Sequence, residues 1–265
     1  MTKYWIVFKN RIGTIFAYRL NFFIGRLQGL IMILLLYFLW VTLAKQTGRF
    51  AGFTPEEIAT YVLLVNILRA FVFGNQTRLM ASDINKGTFS VNLVKPFSSV
   101  SYYYFHELAE RVIGTLAAIA ETLVLTYLLK INWVIPNGYT VWIYFTLATI
   151  LAQLIYFSFS TLLNYLAFWS REAMGPRFLF EWILEFASGA YFPLTILMGG
   201  VFFSILYKLP FIYMIYHPIM IFLQKGPGSD MPVVVYGGII WLVILIILNR
   251  IMFNFGIKRY TSEGI

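Results

Sequence analysis

Cysteine is absent from these 265 residues, and histidine occurs only 2 times. The first absence excludes disulfides, thiolate metal sites and a cysteine nucleophile, and by itself fixes no compartment. The second leaves too few imidazoles for a histidine-rich metal site, and no H-E-x-x-H pattern occurs. Charge is scarce as well: Asp, Glu, Lys and Arg together make up 12%, against roughly a quarter in soluble domains. No lysine stands in G-x-x-x-x-G-K-[ST], which removes the phosphate-cradling Walker A loop, and there is no G-x-S-x-G nucleophile elbow. Also missing between the apolar runs is a polar stretch of ~50 residues, the least that folds as a separate domain. A fused soluble catalytic or ATP-hydrolysing domain is therefore not expected.

What fills the chain is apolar: 60% of it is hydrophobic and the mean hydropathy is +0.77. A helical span takes about 20 apolar residues, and the pattern predicts six, at 27–44, 58–77, 112–129, 141–169, 178–206 and 233–255. Thr54-Pro55-Glu56-Glu57 reads as the start of the second, with Thr54 as N-cap and Pro55 at the first helical position. The fifth is broken by Gly189, Pro193 and Gly199-Gly200. Residues 209–223 are short for a span and carry Pro210 and His217-Pro218, which predicts a re-entrant outer hairpin with His217-Pro218 as its turn. Residues 1–20 place Trp5, Phe8, Ile12 and Ile15/Phe16 on one side of a helix and basic residues on the others, the pattern of an amphipathic interfacial helix. A cleaved signal peptide fits poorly, since no A-x-A-like site follows; the remaining alternative is the wet start of the first span. The expected fold is an all-α membrane protein, one transmembrane domain over 1–265. It has six transmembrane helices, the interfacial helix at 1–20 and a re-entrant outer segment at 207–230.

The net charge of +9 follows from where the cations fall. With the N-terminus inside, fourteen of the 20 Lys+Arg lie inside and five outside, with Arg69 within a span. Basic residues flanking spans mark the cytoplasmic side, so both termini are expected to be cytoplasmic. A seventh crossing at 209–223 would send Lys258-Arg259 outside.

Chemistry-bearing candidates are few. The inside loop at 78–100 holds Asp83, Asn85 and Lys86 in a charged turn, Gly87 where the chain bends, an apolar patch of Phe89, Val91, Leu93 and Val94, and then Lys95-Pro96, which predicts an extended link. This element reads either as a docking surface for a partner or as an interfacial helix resting on lipid. Within the spans stand Arg69, Glu121, Glu181 and Glu185. A charge at that depth costs several kcal/mol unless paired or hydrated, on the order of 3. They read either as the polar lining of a substrate path or as structural pairs. The pairs expected are Arg69 with Glu121 and, four residues apart on one helix, Arg177 with Glu181; Glu185 has no sequence-local partner. The 26 Phe, 18 Tyr and 7 Trp read mainly as packing and interfacial anchors.

The run Ile84-x-x-Gly87-Thr88-x-x-x-x-Leu93-x-Lys95-Pro96 resembles the G-[TS]-x-x-x-x-L-[LV]-[KR]-P loop of ABC-2-type permeases, the membrane subunits of certain ATP-driven exporters. The N-terminal amphipathic helix is similar to that family's elbow helix, and the broken fifth span with its outer hairpin is similar to its re-entrant segment. The ending Arg259-Tyr260-Thr261-Ser262-x-Gly264 resembles the cytoplasmic tail of one bacterial branch. The resemblance covers essentially the whole chain. It implies export across a bacterial-type plasma membrane, with two ABC ATP-binding subunits and a second permease subunit, the same chain or a homologous one. It further implies that the loop around Gly87 couples to the ATPase, that His106-Glu107 and Glu110-Arg111 help receive it, and that ATP and Mg sit on that partner with no cofactor here. The alternatives are an ion-coupled secondary transporter using Glu121, Glu181 and Glu185 as proton sites, and a membrane-embedded enzyme. Against the first stands the lack of an internal repeat of spans; against the second, the absent motifs.

Overall fold

The computed structural model describes residues 2–73, 78–170, 174–226 and 229–261. Thr77 at the end of the second expected span, Arg171 in the charged link before the fifth, and Ser262 and Gly264 of the tail lie outside them. The described chain is helical throughout, with no strand beyond an isolated bridge between Phe50 and Phe53.

Helix α1 (Thr2–Ala17) is followed at Tyr18 by α2 (Arg19–Thr47), which begins eight residues ahead of the expected span. The face of α1 turned inward carries Tyr4, Phe8, Arg11 and Ile15, while Trp5 and Phe16 point out. The rotation follows from what lies opposite. Along α6 (Ser99–Leu129), Tyr4 stacks on Phe105 at 5.0 Å, and Arg11 pairs with Glu110. Lys3 reaches the Pro96 carbonyl at 3.1 Å just before α6 begins. These contacts climb α6 in chain order, so α1 follows its axis.

Helix α3 (Pro55–Val72) starts as its sequence dictates: Thr54 accepts from the Glu57 amide and the Glu57 carboxylate returns to the Thr54 amide, with Pro55 in the first turn. Such a capping box satisfies two otherwise orphaned amides. Its other end is closed from a distance. Arg111 of α6 donates to the Phe71 and Val72 carbonyls at 3.1 and 2.5 Å, placing a cation on a helix C-terminus. α3 is the innermost long helix, packed by α2, α6, α7 (Tyr139–Tyr165) and α10 (Tyr216–Leu223).

Between α3 and α6 lie two short helices, α4 (Leu79–Asn85) and α5 (Phe89–Val94). Lys95 is extended, as a residue before proline must be. α6 then starts at Ser99 with Ser98 as its cap, thirteen residues ahead of the expected 112. The polar residues that made 99–111 read as loop are accommodated on a helix whose Glu107 and Arg111 turn into the bundle and pair at 2.9 Å. Glu107 and Arg111 are thus enclosed, while His106 and Glu110 are half-buried.

After α7 a 3-10 turn (Leu166–Phe168) leads towards α8 (Met174–Ser188). α8 stops at Gly189, whose φ of +88° belongs to the left-handed region and whose missing side chain leaves room for the Tyr61 hydroxyl on its carbonyl at 2.7 Å. Short pieces follow: 3-10 turns at Leu194–Leu197 and Pro210–Tyr213, α9 (Val201–Leu206) and α10. All eight residues of α10 are buried, including His217 and Pro218. His217-Pro218 is thus the first turn of an enclosed helix and not a hairpin turn. The last helix among the described residues is α11 (Met231–Gly256), which lies along α7.

The distribution of polarity is the reverse of a soluble protein's. Arg111 and Arg177 are 1% exposed, whereas Leu123, Ile240 and Ile247 are more than half exposed. Four helices, α2, α6, α7 with its 3-10 turn, and α11, are long and apolar enough to cross a membrane. α3 carries three charges in its 18 residues, and α8 is 15 residues long.

Candidate functional site

Two regions concentrate polar or exposed chemistry. The first is the α4–α5 loop at the end of the bundle that holds Lys3 and Tyr260. Its residues split into two faces. Inward, Phe89 is fully buried among the rings of Tyr103, Phe168 and Tyr260, at 5.8 to 6.4 Å between centroids. Asn92 donates to the Tyr103 hydroxyl at 2.9 Å, and that hydroxyl donates to Asp83 at 2.6 Å. Thr88 also donates to Asp83, at 3.1 Å. Asp83 is therefore an internal acceptor and not a free charge for a partner. Gly87, at φ +76°, makes the reversal from α4 into α5 in a conformation that favours glycine. Outward stand Lys86, Val91, Leu93, Val94 and Pro96, with Val94 87% exposed; Asn85 is half-buried. Lys95 bends back over Tyr102 at 5.3 Å and donates to Asn92 at 2.9 Å.

The second region is a cavity of about 770 Å³ walled by α1, α2, α3, α6 and α8. The cations of its wall are arginines, each held by a carboxylate. Arg11 pairs with Glu110, and Arg26 embraces Glu121 with two donors, one at 2.8 Å. Arg69 meets Glu185 at 2.5 Å while lying over the Tyr191 ring at 5.2 Å, and Tyr191 donates to the same Glu185 at 2.8 Å. Asn66 bridges α3 to α6 through Thr122 at 3.2 Å. Taking an ion out of water costs several kcal/mol, on the order of 5, unless a counter-charge and hydrogen bonds replace the hydration. The wall meets that condition at each arginine. A smaller cavity of about 190 Å³ shares Phe73, Trp182 and Glu185 with it and reaches Arg78 and Glu181. There Glu181 joins Arg177 at 2.9 Å, as expected from their spacing, and Arg78 at 2.6 Å. The hydrogen bond to Glu181 raises the Arg78 pKa above its ordinary value.

The expected tie between Arg69 and Glu121 does not form. Arg69 lies against α8 and its partner is Glu185, the carboxylate without a sequence-local candidate, while Glu121 is taken by Arg26 of α2. Of the four charges singled out in sequence, Arg69 and Glu185 line the large cavity and Glu181 the small one. Glu121 stands behind the wall and holds Arg26 in it. Arg11 and Arg26 read in sequence as flanking charges. The signal for Arg26 was available, since an α2 that starts at residue 19 puts it two turns inside the helix. No such signal marks Tyr191 or the pairing of Arg11 with Glu110. Among the described residues no group of His, Asp and Glu is arranged to hold a metal.

Neither a curated protein nor a solved structure matches this chain. The model of the ABC-2 family of transporter proteins matches it over residues 30–264, from within α2 through the loop, the smaller cavity and the final helix, and leaves Arg11 and Arg26 of the larger cavity outside the match. With its four long apolar helices, the chain is a multi-pass membrane protein, and it belongs to the ABC-2 transporter family.

Proposed function

We propose that this chain is the membrane-spanning permease subunit of an ATP-driven exporter. It works beside a second permease subunit, identical or homologous, and is driven by two copies of a separate ABC ATP-binding subunit. The observation that carries the reading is the family match across residues 30–264. In this reading the end holding Lys3, Tyr260 and the α4–α5 loop faces the cytoplasm, both termini are cytoplasmic, and the membrane is the plasma membrane. ATP and Mg reside on the partner, and this chain performs no hydrolysis.

Six crossings complete the topology. α2, α6, α7 and α11 cross on length and apolar composition. α3, about 27 Å long at 1.5 Å per residue, crosses with Glu56 and Glu57 in its first turn at the interface and Arg69 neutralised by Glu185. α8 crosses together with the broken segment up to α9. Residues 210–223 form the re-entrant outer piece, and the complete enclosure of α10 supports this, because non-spanning backbone at membrane depth requires protein around it.

The mechanism assigned is alternating access. The partner docks on the exposed Lys86, Val91, Leu93, Val94 and Pro96, and ATP binding displaces the loop. Asp83, Gly87, Phe89 and Lys95 convert that displacement into motion of the helix ends by holding the inner face. The paired charges around the cavity, Arg69, Glu181 and Glu185 with Glu121 behind, line the substrate path and re-pair as the helices shift. A proton-coupled carrier is disfavoured, because Glu121, Glu181 and Glu185 are each already matched by an arginine.

The test is purification of the tagged chain from cells that express the ATPases encoded beside it. A Walker-motif ATPase is expected to co-purify and to change its Mg-ATP hydrolysis when the chain is present. Proton-dependent transport by the chain alone, with no ATPase bound, would overturn the reading.

A further inference from the structure

α4 and α5 have 7 and 6 residues, well below the ~12 to 15 at which an isolated helix holds its shape. A push on such pieces would dissipate in local unfolding unless tertiary anchors fix them. Three anchors are present, each from a different long helix. Tyr103 of α6 ties Asp83 and Asn92 together through its hydroxyl. Phe168, at the end of α7, meets Phe89 edge-on at 5.9 Å. The third is Tyr260, four residues beyond the end of α11. Its ring lies against Phe89 at 5.8 Å and Phe168 at 5.9 Å. Its hydroxyl donates to the Gly87 carbonyl at 2.5 Å and accepts from the Ser90 amide at 2.9 Å.

The third anchor differs from the other two in what it grips. Gly87 lies where α4 reverses into α5 and Ser90 in the first turn of α5, its amide and hydroxyl already donating to the Gly87 carbonyl at 3.3 and 2.7 Å, and Tyr260 adds from outside a grip on both a backbone acceptor and a backbone donor there. A ring alone would fill the same space without tying the turn to the segment that follows α11. The approach is built in from below as well. Gly256 presents no side chain to Phe168, and a Cβ there would come within 2.3 Å of the ring. The end of α11 is thus brought close enough to the 3-10 turn for the chain to reach the loop.

We propose that Tyr260 is a positioning residue for coupling: its hydroxyl clasps the Gly87–Ser90 turn, so that displacement of the loop moves the end of α11, and with it the α7–α11 pair, as one body. The proposal rests on the coupling role given to the loop above, and its test separates the two. Tyr260→Phe keeps the ring in the aromatic cluster and removes only the two hydroxyl hydrogen bonds. A second variant, Val94→Asp, alters the exposed docking face and touches no anchor.

Two measurements are made. In the full chain in lipid nanodiscs, hydrogen exchange within 87–91 is expected to accelerate about threefold to tenfold in Tyr260→Phe, the range allowed by the one hydrogen bond that an amide, that of Ser90, loses, with the span amides unchanged. In the complex with its ATPase, recovered in equal amount, the chain-dependent change in Mg-ATP hydrolysis is expected to fall several-fold in the same variant. A merely structural role would lower the recovery or thermal stability of the complex and leave that ratio alone. Unchanged exchange at 87–91 overturns the clasp. Faster exchange with undiminished ATPase response in Tyr260→Phe, while Val94→Asp loses it, overturns the clasp's role and leaves the coupling reading standing. Loss in neither variant overturns the coupling role of the loop, and the clasp's with it.

Discussion

Around the α4–α5 loop, Phe89, Tyr103, Phe168 and Tyr260 meet through ring contacts and neutral hydrogen bonds, with Asp83 the single carboxylate and itself gripped by a tyrosine. Around the cavity, the helices α1, α2, α3, α6 and α8 meet through arginine–carboxylate pairs that retain partial exposure, about a fifth of each side chain for Arg26–Glu121 and a quarter for Arg69–Glu185. Interdigitated rings transmit displacement because a close-packed interior has low compressibility. Partly hydrated ion pairs are different. Glu181 already serves both Arg78 and Arg177, and Asn66 reaches the same Glu121 that Arg26 holds. Such groups have alternative partners within reach. In the proposed cycle the loop is the rigid element and the cavity wall the element that re-pairs.

Breaking the buried pair nearest the boundary of the two regions should cost most. Arg111→Met leaves Glu107 uncompensated and uncaps the Phe71 and Val72 carbonyls, and a loss of about 3–5 kcal/mol is expected. Unfolding followed in detergent checks it, and adding Glu107→Gln should recover part of the loss. Next comes Phe89→Ala, expected to cost about 3 kcal/mol by removing the centre of the aromatic cluster. Limited proteolysis should then cut within 78–100 while the long helices stay intact. A smaller effect, about 2 kcal/mol, is expected for Arg26→Gln, since a hydrogen-bonded charge pair with partial solvent access is worth about 1.5–3 kcal/mol. The charge-swapped double variant Arg26→Glu with Glu121→Arg should recover part of it, as a double-mutant cycle would show. The smallest is Arg78→Ala. Its side chain is 51% exposed, Glu181 keeps Arg177, and less than about 1 kcal/mol should be lost. If Arg78→Ala proved as costly as Arg111→Met, the distinction between fixed and exchangeable pairs would fail.

Much of the fold was legible because its signals are local. The Thr54–Glu57 capping box, the Lys95-Pro96 stop, the break at Gly189 and the i, i+4 pair Arg177–Glu181 each depend on a few neighbouring residues, and each forms. The loop motif likewise lies in one contiguous stretch. The features that could not be read require knowing which helix stands opposite. Arg69 and Glu121 are a plausible tie until α2 supplies Arg26 and α8 supplies Glu185. The start of α6 at Ser99 was hidden for the same reason. Glu107 and Arg111 look like loop charges until α3 offers its C-terminal carbonyls to Arg111. His217-Pro218 resembles a turn in sequence, and only enclosure by α3 and α7 makes it helical core.

The central claim, that a separate ATPase docks on the outer face of the α4–α5 loop, can be tested directly because the chain has no cysteine of its own. A single Val94→Cys carries a photo-activated crosslinker on the exposed face, and Tyr139→Cys carries the same probe at the opposite end of α7, where Tyr139 is 81% exposed. With the full complex in native membranes, the account predicts an adduct between this chain and a Walker-motif ATPase from Val94→Cys and none from Tyr139→Cys. No adduct from Val94→Cys, or equal adducts from both positions, would contradict it.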